Sequence, residues 1–482
     1  MLREVNVAWS VIQHSDSRHT TVMRATVLLS AVILAAPVLR AQQPALASDS
    51  AIRAIIKDRV DARLASGIVV GVLEPDGRRR IVAYGTSGSA RPLDGNSVFE
   101  IGSITKTFTA ALLADMVARG EVWLDDPVAK FLPAVKIPSR NGRQITLLDL
   151  ATQSSGLPGM PNNFAPKDPT NPYADYTSVA MYSFLGSYEL PRDIGEKYEY
   201  SNLGVGLLGH ILALRGKADL ETLYRRRLLD PLGMSDTRIT LTPSMRERLA
   251  LGHNQSGVIV PNWDLDALAG AGALRSTVAD MLTYVAANLA ADVDSTRGPL
   301  APTLHATHVR RRAAGSSTMG IGLAWHILTT PDGVITWHNG GTGGYRTFSG
   351  YDAAHRTGVV VLTNSNQGAD DIGFHLLAPS VPLLSTKVVQ RTAITLPPAA
   401  LDAYVGEYEL APQFHIVITR GTDGLVAEPT GQGKAPLFAE KENEFFFRIV
   451  DAQITFERDS AGKVTAMVLH QNGQNLRGAK IK

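Results

Sequence analysis

The placement of its strand-like runs constrains this chain most. Near the start, "GIVVGVLEPDGRRRIVAYGTSG" reads as two strands around Asp76-Gly77. Such runs return only late, in "GIGLAWHIL", "GVITWHNGG", "TFSGYD" and "GVVVLTN". Between them the periodicity is helical: Ser103 to Arg119 ending at Gly120, Ser178 to Leu185, Gly204 to Leu214, Leu220 to Leu228, and Thr277 to Leu289. A further helix, "SAIRAIIKDRVDARL" from Ser50 to Leu64, opens on a serine cap before the first hairpin. A sheet here must draw on both ends of the chain with a helical block between. That is α+β or α/β rather than a repeating βαβ series.

The periodicity lapses from Val381 to Pro398, where Pro397-Pro398 stiffens a connection. Beyond it come short alternating runs, "FHIVITR", "EFFFRIV", "QITFER" and "KVTAMVLHQ", broken by Asp423-Gly424, Gly431, Ala461-Gly462 and Asn472-Gly473. Hairpins of this kind predict a small barrel or sandwich. The chain therefore divides into a large unit over 50–385, a linker over 386–400 and a second unit over 401–482.

At the N-terminus, Arg24 precedes an apolar stretch from Thr26 to Leu39, of about 14 residues, too short to span a bilayer comfortably. It has the form of a secretory signal with cleavage after Ala41, although Leu39 is larger than the usual residue there. Residues 1–41 are thus expected to be an N-terminal extension and signal, with Met23 where a signal should begin. The mature chain is expected to be periplasmic or secreted, with no transmembrane span. The absence of cysteine rules out disulfides, thiol nucleophiles and Cys-zinc sites. A net charge of +2, with no dense Lys/Arg block, leaves no footprint for nucleic acid.

The chemistry begins at "FEIGSITKTFTA". Ser103 and Lys106 are three residues apart and share a helix face, so the amine can reach the hydroxyl. A serine hydroxyl is a poor nucleophile until a neighbour takes its proton, and a partly desolvated lysine can do so. The pattern alone is equally that of a helix cap beside a solvated lysine. Ser460-Ala461-Gly462-Lys463 repeats it in a hairpin turn, where a plain turn explains it.

Two further stretches supply partners. Tyr200-Ser201-Asn202 is the only Tyr-x-Asn in the chain and leads into a helix. An ammonium at Lys106 would favour the Tyr200 phenolate, making it a general base, and Asn202 can accept from the lysine while donating to a substrate carbonyl. His338-Asn339-Gly340-Gly341 adjoins a strand, and five glycines from Gly340 to Gly350 suggest a backbone pressed close to a ligand. The N–H groups of Gly341 and Ser103 could together hold an oxyanion.

In that order and spacing, Phe99 to Lys106, Tyr200-Ser201-Asn202 and His338-Asn339-Gly340 resemble the three motifs of the class C β-lactamase and penicillin-binding-protein superfamily. "WLDDPVAKFLP", "ITLLDLATQSSGLPG", "LLDPLGMSDTRITL" and "AGAGALRSTVADM" support the resemblance, which covers about Ala51 to Leu376. The segment after Leu401 resembles the lipocalin-like C-terminal domain of some of these hydrolases. The resemblance implies an α+β fold, an antiparallel sheet flanked by helices plus a helical subdomain, followed by an all-β barrel. It implies a serine hydrolase with Ser103, Lys106 and Tyr200 catalytic, Asn202, His338 and Gly340 orienting the substrate, and the N–H groups of Ser103 and Gly341 as oxyanion hole. Cofactor and metal are expected to be absent. Expected substrates are β-lactams, D-alanyl peptides or small esters, with a penicillin-binding receptor lacking turnover as the competing reading.

Two positions depart from the pattern. His338 stands where class C β-lactamases usually carry lysine, offering a hydrogen bond in place of permanent charge, and Thr105 stands where serine or alanine is usual. No Gly-x-Ser-x-Gly or His-Glu-x-x-His occurs, and "GGTGG" lacks the lysine and helix of a phosphate loop. His305 and His308, followed by Arg310-Arg311-Arg312, read as a solvated basic face rather than a zinc site.

Overall fold

The computed structural model describes residues 46–366, 368–386, 391–411, 414–421, 424–430, 434–447, 452–471 and 474–482. The signal segment expected over 1–41 lies outside them, as do the turn residues Asp423, Gly431, Asn472 and Gly473. The first helix is Asp49–Asp61. Its cap is Ser48, whose side chain accepts from Ala51 N, rather than Ser50. A hairpin follows, β1 (Gly67–Leu73) and β2 (Arg79–Gly85). Next in chain order come short strands, β3 (Val98–Glu100), β4 (Ser139–Arg140), β5 (Arg143–Gln144) and β6 (Arg275–Thr277), of which β3 pairs with β6 and β4 with β5.

The remaining strands of the large unit are β7 (Arg312–Ala313), β8 (Met319–Ile321), β9 (His326–Thr330), β10 (Gly333–Gly341), β11 (Arg346–Asp352) and β12 (Thr357–Thr363). They join the first hairpin in one antiparallel sheet of order β2-β1-β12-β11-β10-β9-β8-β7. The sheet is closed from both ends of the chain by β1 against β12, from Ile68↔Thr363 to Leu73↔Gly358. Both strands are buried along their whole length, because each face is covered. Ile68, Val70 and Val72 share one core with Ile52, Ile56 and Ile372 of two helices, while Val69 and Leu73 turn to the other side with Val278, Leu282 and Val285.

Two expected elements differ. "GIGLAWHIL" is a reversal between β8 and β9, in which Gly322 N donates to Trp325 O and Ala324 has φ +61°. Leu323, Ala324 and Trp325 are all buried, so the run is apolar at every position and hides the turn. The helix from Leu220 ends at Tyr224 and widens into a π-turn over Arg225–Leu229.

In the helical part, the helix Thr105–Ala118 is buried at every position from Thr105 to Met116. A helix buried on every side over three turns belongs to the interior, and this one carries Lys106 there with it.

Pro397 and Pro398 cap and open a short helix, Pro398–Asp402. Eight strands then close into a barrel, each hydrogen-bonded to the next: β13 (Gly406–Ala411), β14 (Phe414–Arg420), β15 (Leu425–Pro429), β16 (Ala435–Ala439), β17 (Glu444–Phe446), β18 (Ala452–Arg458), β19 (Val464–Gln471) and β20 (Gln474–Lys480), with β20 back on β13. Its interior is filled by Tyr404, Tyr408, Ile418, Phe445, Ile454, Phe456 and Met467, the Tyr404 and Phe456 rings 4.7 Å apart. Among the described residues, no helix is long and apolar enough to cross a membrane.

Candidate active site

At the end of β3 the chain turns through Gly102, with φ +51°, into a single 3-10 turn, Gly102–Ile104, that feeds the buried helix. A Cβ on Gly102 would lie 2.6 Å from Gly341 N, so this position needs glycine both for its left-handed backbone and for contact with β10. A Cβ on Gly340 would fall 2.0 Å from the Ile101 carbonyl oxygen. Two main chains thus press together, with Ser103 on one and the His338–Gly341 strand end on the other.

Lys106, one turn on, is fully buried, and its Nζ lies 2.9 Å from Ser103 Oγ, 2.8 Å from Asn202 Oδ1 and 2.7 Å from the Ala271 carbonyl. Asn202 opens the helix Asn202–Gly216, whose N-cap Ser201 accepts from Gly204 N at 2.8 Å and donates to Pro158 O at 2.6 Å. That cap fixes the approach of Tyr200. The Lys106 Nζ sits 4.8 Å from the centre of the Tyr200 ring. The Tyr200 and His338 rings are 6.3 Å apart.

β9 stops pairing with β10 at His326↔Trp337, which leaves one edge of residues 338–341 open. Thr342 N donates to Tyr345 O, so antiparallel alternation turns the N–H of Gly341 away from β11 and toward that open edge, where Gly102 lies. The structure therefore brings Ser103, Lys106, Tyr200, Asn202, His338, Gly340 and Gly341 into one place.

Burial works against the phenolate that the sequence leads one to expect at Tyr200. Burial pushes the Lys106 ammonium well below its ordinary pKa, and the same burial pushes the Tyr200 phenol up, with Ser103 opposing it. Burial disfavours the ammonium and the phenolate alike, because neither charge has water to stabilise it. Lys106 Nζ donates to Asn202 Oδ1 and to the Ala271 carbonyl, which can only accept, and to Ser103 Oγ. His338 is held neutral by burial, with His326 and Lys106 adding to the effect. Its Nδ1 donates to the Asn339 carbonyl at 2.6 Å, and its buried Nε2 has no hydrogen-bond partner among the described residues.

Several residues around the site escaped the sequence reading. Ala271 contributes a main-chain oxygen, which no side-chain pattern advertises. The His326 ring lies 5.1 Å from that of His338, tilted by 48°, and its Nε2 meets Tyr198 Oη at 2.8 Å. Glu100, buried, accepts from Trp263 N at 2.8 Å and from Arg275 at 3.2 Å, fastening the loop after Pro261 beside Ser103. The basic face expected at His305 and His308 is corrected: His308 is buried, its Nδ1 2.9 Å from Asp292 and its Nε2 2.8 Å from Asn288 Oδ1, because the helix Ala301–His308 packs against Val278–Val293.

Residues 52–378 match the family model Beta-lactamase, and residues 390–480 match Domain of unknown function (DUF3471). The chain is 28% identical over 336 residues to a protein of Pseudomonas fluorescens named β-lactamase, across 62% of this chain and 89% of that one. It is 30% identical over 319 residues to the D-alanyl-D-alanine-carboxypeptidase/endopeptidase AmpH of Escherichia coli K12, across 62% of this chain and 80% of AmpH. The structure of a β-lactamase/D-alanine carboxypeptidase from Pseudomonas syringae shares the fold, with a TM-score of 0.59 at 20% identity over 69% of this chain and 100% of that one. The family model spans well over half the sequence, and the residues gathered around Ser103 lie within it: the chain belongs to the Beta-lactamase family and is a serine hydrolase.

Proposed function

We propose that this chain is an exported hydrolase that works through an acyl-enzyme on Ser103, cleaving the amide bonds of β-lactams or D-alanyl peptides. The observation that carries the reading is the fully buried Lys106 amine, held 2.9 Å from Ser103 Oγ by two acceptors that use its N–H bonds. In the first half-reaction Ser103 Oγ attacks the carbonyl carbon as its proton passes to Lys106. The N–H groups of Gly341 and Ser103 hold the developing oxyanion. As the carbon–nitrogen bond breaks, the Tyr200 phenol protonates the leaving nitrogen and Lys106 returns a proton to Tyr200. Water then attacks the ester, losing its proton to the same pair, and Ser103 regains its hydrogen as the acid leaves. Asn202 Nδ2, which lies 3.9 Å from the Met160 thioether, is placed to donate to a substrate carbonyl.

Relatives named for β-lactamase and for D-alanyl-D-alanine carboxypeptidase support amides as substrates. A second reading, hydrolysis of small esters, is favoured by the neutral His338, which brings no fixed charge to a substrate carboxylate. Export rests on the apolar segment between Arg24 and Ala41. The test is one panel: a chromogenic cephalosporin, a D-alanyl-D-alanine peptide and a nitrophenyl ester, each with the native chain and with Ser103→Ala. Turnover lost in the variant on at least one substrate is expected, and undiminished turnover in the variant would overturn the reading.

A further inference from the structure

Residues 153–159 form neither helix nor strand, yet they are buried from Gln153 to Leu157. They follow the short helix Leu147–Ala151, whose end is closed by two main-chain bonds: Ser154 N donates to Asp149 O at 2.9 Å and Gln153 N donates to Leu150 O at 3.3 Å. In this closure the residue after the cap takes a left-handed backbone, and glycine is its usual occupant. Here it is Gln153, with φ +56°. A buried side chain kept where glycine would sit without strain points to a task for that side chain.

That task is at Tyr200. Gln153 Oε1 accepts from Ser201 N at 2.8 Å, and the Gln153 main-chain oxygen accepts from Glu199 N at 2.7 Å. One glutamine thus holds both residues that flank Tyr200. Residues 196–201 belong to no helix or strand, so no ladder of main-chain bonds fixes this segment. The same stretch supplies the neighbouring anchors: Ser154 O accepts from Gly195 N at 2.8 Å, Pro158 O from Ser201 Oγ at 2.6 Å and Gly159 O from Asn202 N at 3.0 Å. All of these accept through main-chain oxygens. Of the bonds that residues 153–159 make to 195–202 here, that to Ser201 N alone is accepted by a side chain, and one substitution removes it.

The Tyr200 ring has neighbours on two sides, Lys106 Nζ at 4.8 Å from its centre and the His338 ring at 6.3 Å. A shift of the main chain at 199–201 carries the whole ring with it, and a misplacement of about 1 Å can cost about 10²-fold in rate. We propose that Gln153 is a positioning residue for Tyr200, holding Glu199 and Ser201 so that the phenol meets the leaving group. Buried itself, Gln153 acts through Tyr200 and not on the substrate. This rests on Tyr200 being the proton donor to the leaving group and adds the residue that aims it.

The experiment compares phenyl acetate with 4-nitrophenyl acetate, which form the same acyl-enzyme and differ only in the leaving group. 4-Nitrophenolate leaves unaided, whereas phenolate, the stronger base, gains from a proton given as its bond breaks. Gln153→Gly keeps the left-handed turn and removes the bond to Ser201 N. It is expected to lower kcat/KM on phenyl acetate at least about tenfold more than on the nitrophenyl ester, a ratio that does not depend on how much of the protein is folded. Gln153→Glu, which keeps an acceptor oxygen at the same reach, restores most of the ratio. Tyr200→Phe shifts the ratio at least as far, and adding Gln153→Gly to it shifts the ratio no further. A purely structural role would lower both esters alike in Gln153→Gly. That result, or a double variant whose shift is the product of the two single shifts, overturns the positioning role and leaves Tyr200 as donor. An unchanged ratio in Tyr200→Phe overturns Tyr200 as the donor, and the positioning role with it.

Discussion

The chain writes Ser-x-x-Lys twice, and the two copies have opposite surroundings. Ser103 and Lys106 sit at the head of a helix with no exposed face, where the amine meets a hydroxyl, a side-chain amide and a main-chain carbonyl within 3 Å. Ser460 and Lys463 span the β18–β19 turn, both exposed, in a loop organised by Asp459, whose Oδ1 accepts from Ala461 N at 3.0 Å and Lys463 N at 2.9 Å. The residue types are the same, but only the first lysine is stripped of water. Reactivity here is a property of burial and of partners supplied from distant parts of the chain, and the four-residue pattern contributes only proximity.

The contrast breaks most directly at the lysines. Lys106→Ala is expected to lower kcat/KM by about 10³–10⁴-fold, the usual worth of a positioned base, and Lys463→Ala to leave it unchanged. Steady-state kinetics on the chromogenic cephalosporin or the nitrophenyl ester reads both. Equal effects at the two lysines would remove the basis of the comparison.

The glycine inside or beside each copy gives a smaller effect, read in stability. Gly102 and Gly462 both have positive φ, +51° and +81°. Among the described residues nothing lies within 4 Å of a Cβ on Gly462, so Gly462→Ala is expected to cost only its left-handed backbone, about 1 kcal/mol. A Cβ on Gly102 meets the main chain of Gly341, and Gly102→Ala is expected to cost about 2–4 kcal/mol, with activity lost as β10 is pushed back. Denaturant unfolding of the two variants measures the difference.

The smallest effect lies in pH. Burial lowers the Lys106 pKa, so the neutral amine, the base of the proposed mechanism, becomes more populated as pH rises through a value below the ordinary 10.5. Acylation rates are expected to climb with pH across that window and to fall by about tenfold per unit on its acid side. A pH-independent acylation rate would mean that Lys106 is not the base.

What the sequence made legible follows from range. Strand and helix patterns placed both ends of the sheet, and Tyr200, Asn202 and His338 stood out because their side chains carry recognisable chemistry. The Ala271 carbonyl did not, since every residue has one and only the packing of residues 269–272 against the buried helix brings it to Lys106. Charge state was equally hidden. Tyr200 reads as a phenolate beside an ammonium until burial of both groups is known, and His308 reads as a surface residue until the helix face it lies on meets Asn288 and Asp292. The reversal at Gly322–Trp325 was invisible for a related reason, because an apolar run buried at each position carries no period.

The central claim is that Ser103 alone among the hydroxyls becomes acylated, and it is tested by incubating the full chain with a labelled penicillin, digesting it and locating the added mass. The account predicts the acyl group on the peptide containing Ser103, lost in Ser103→Ala, with the peptide containing Ser460 unmodified. Label that persists in Ser103→Ala, or that is found on Ser460, would contradict it.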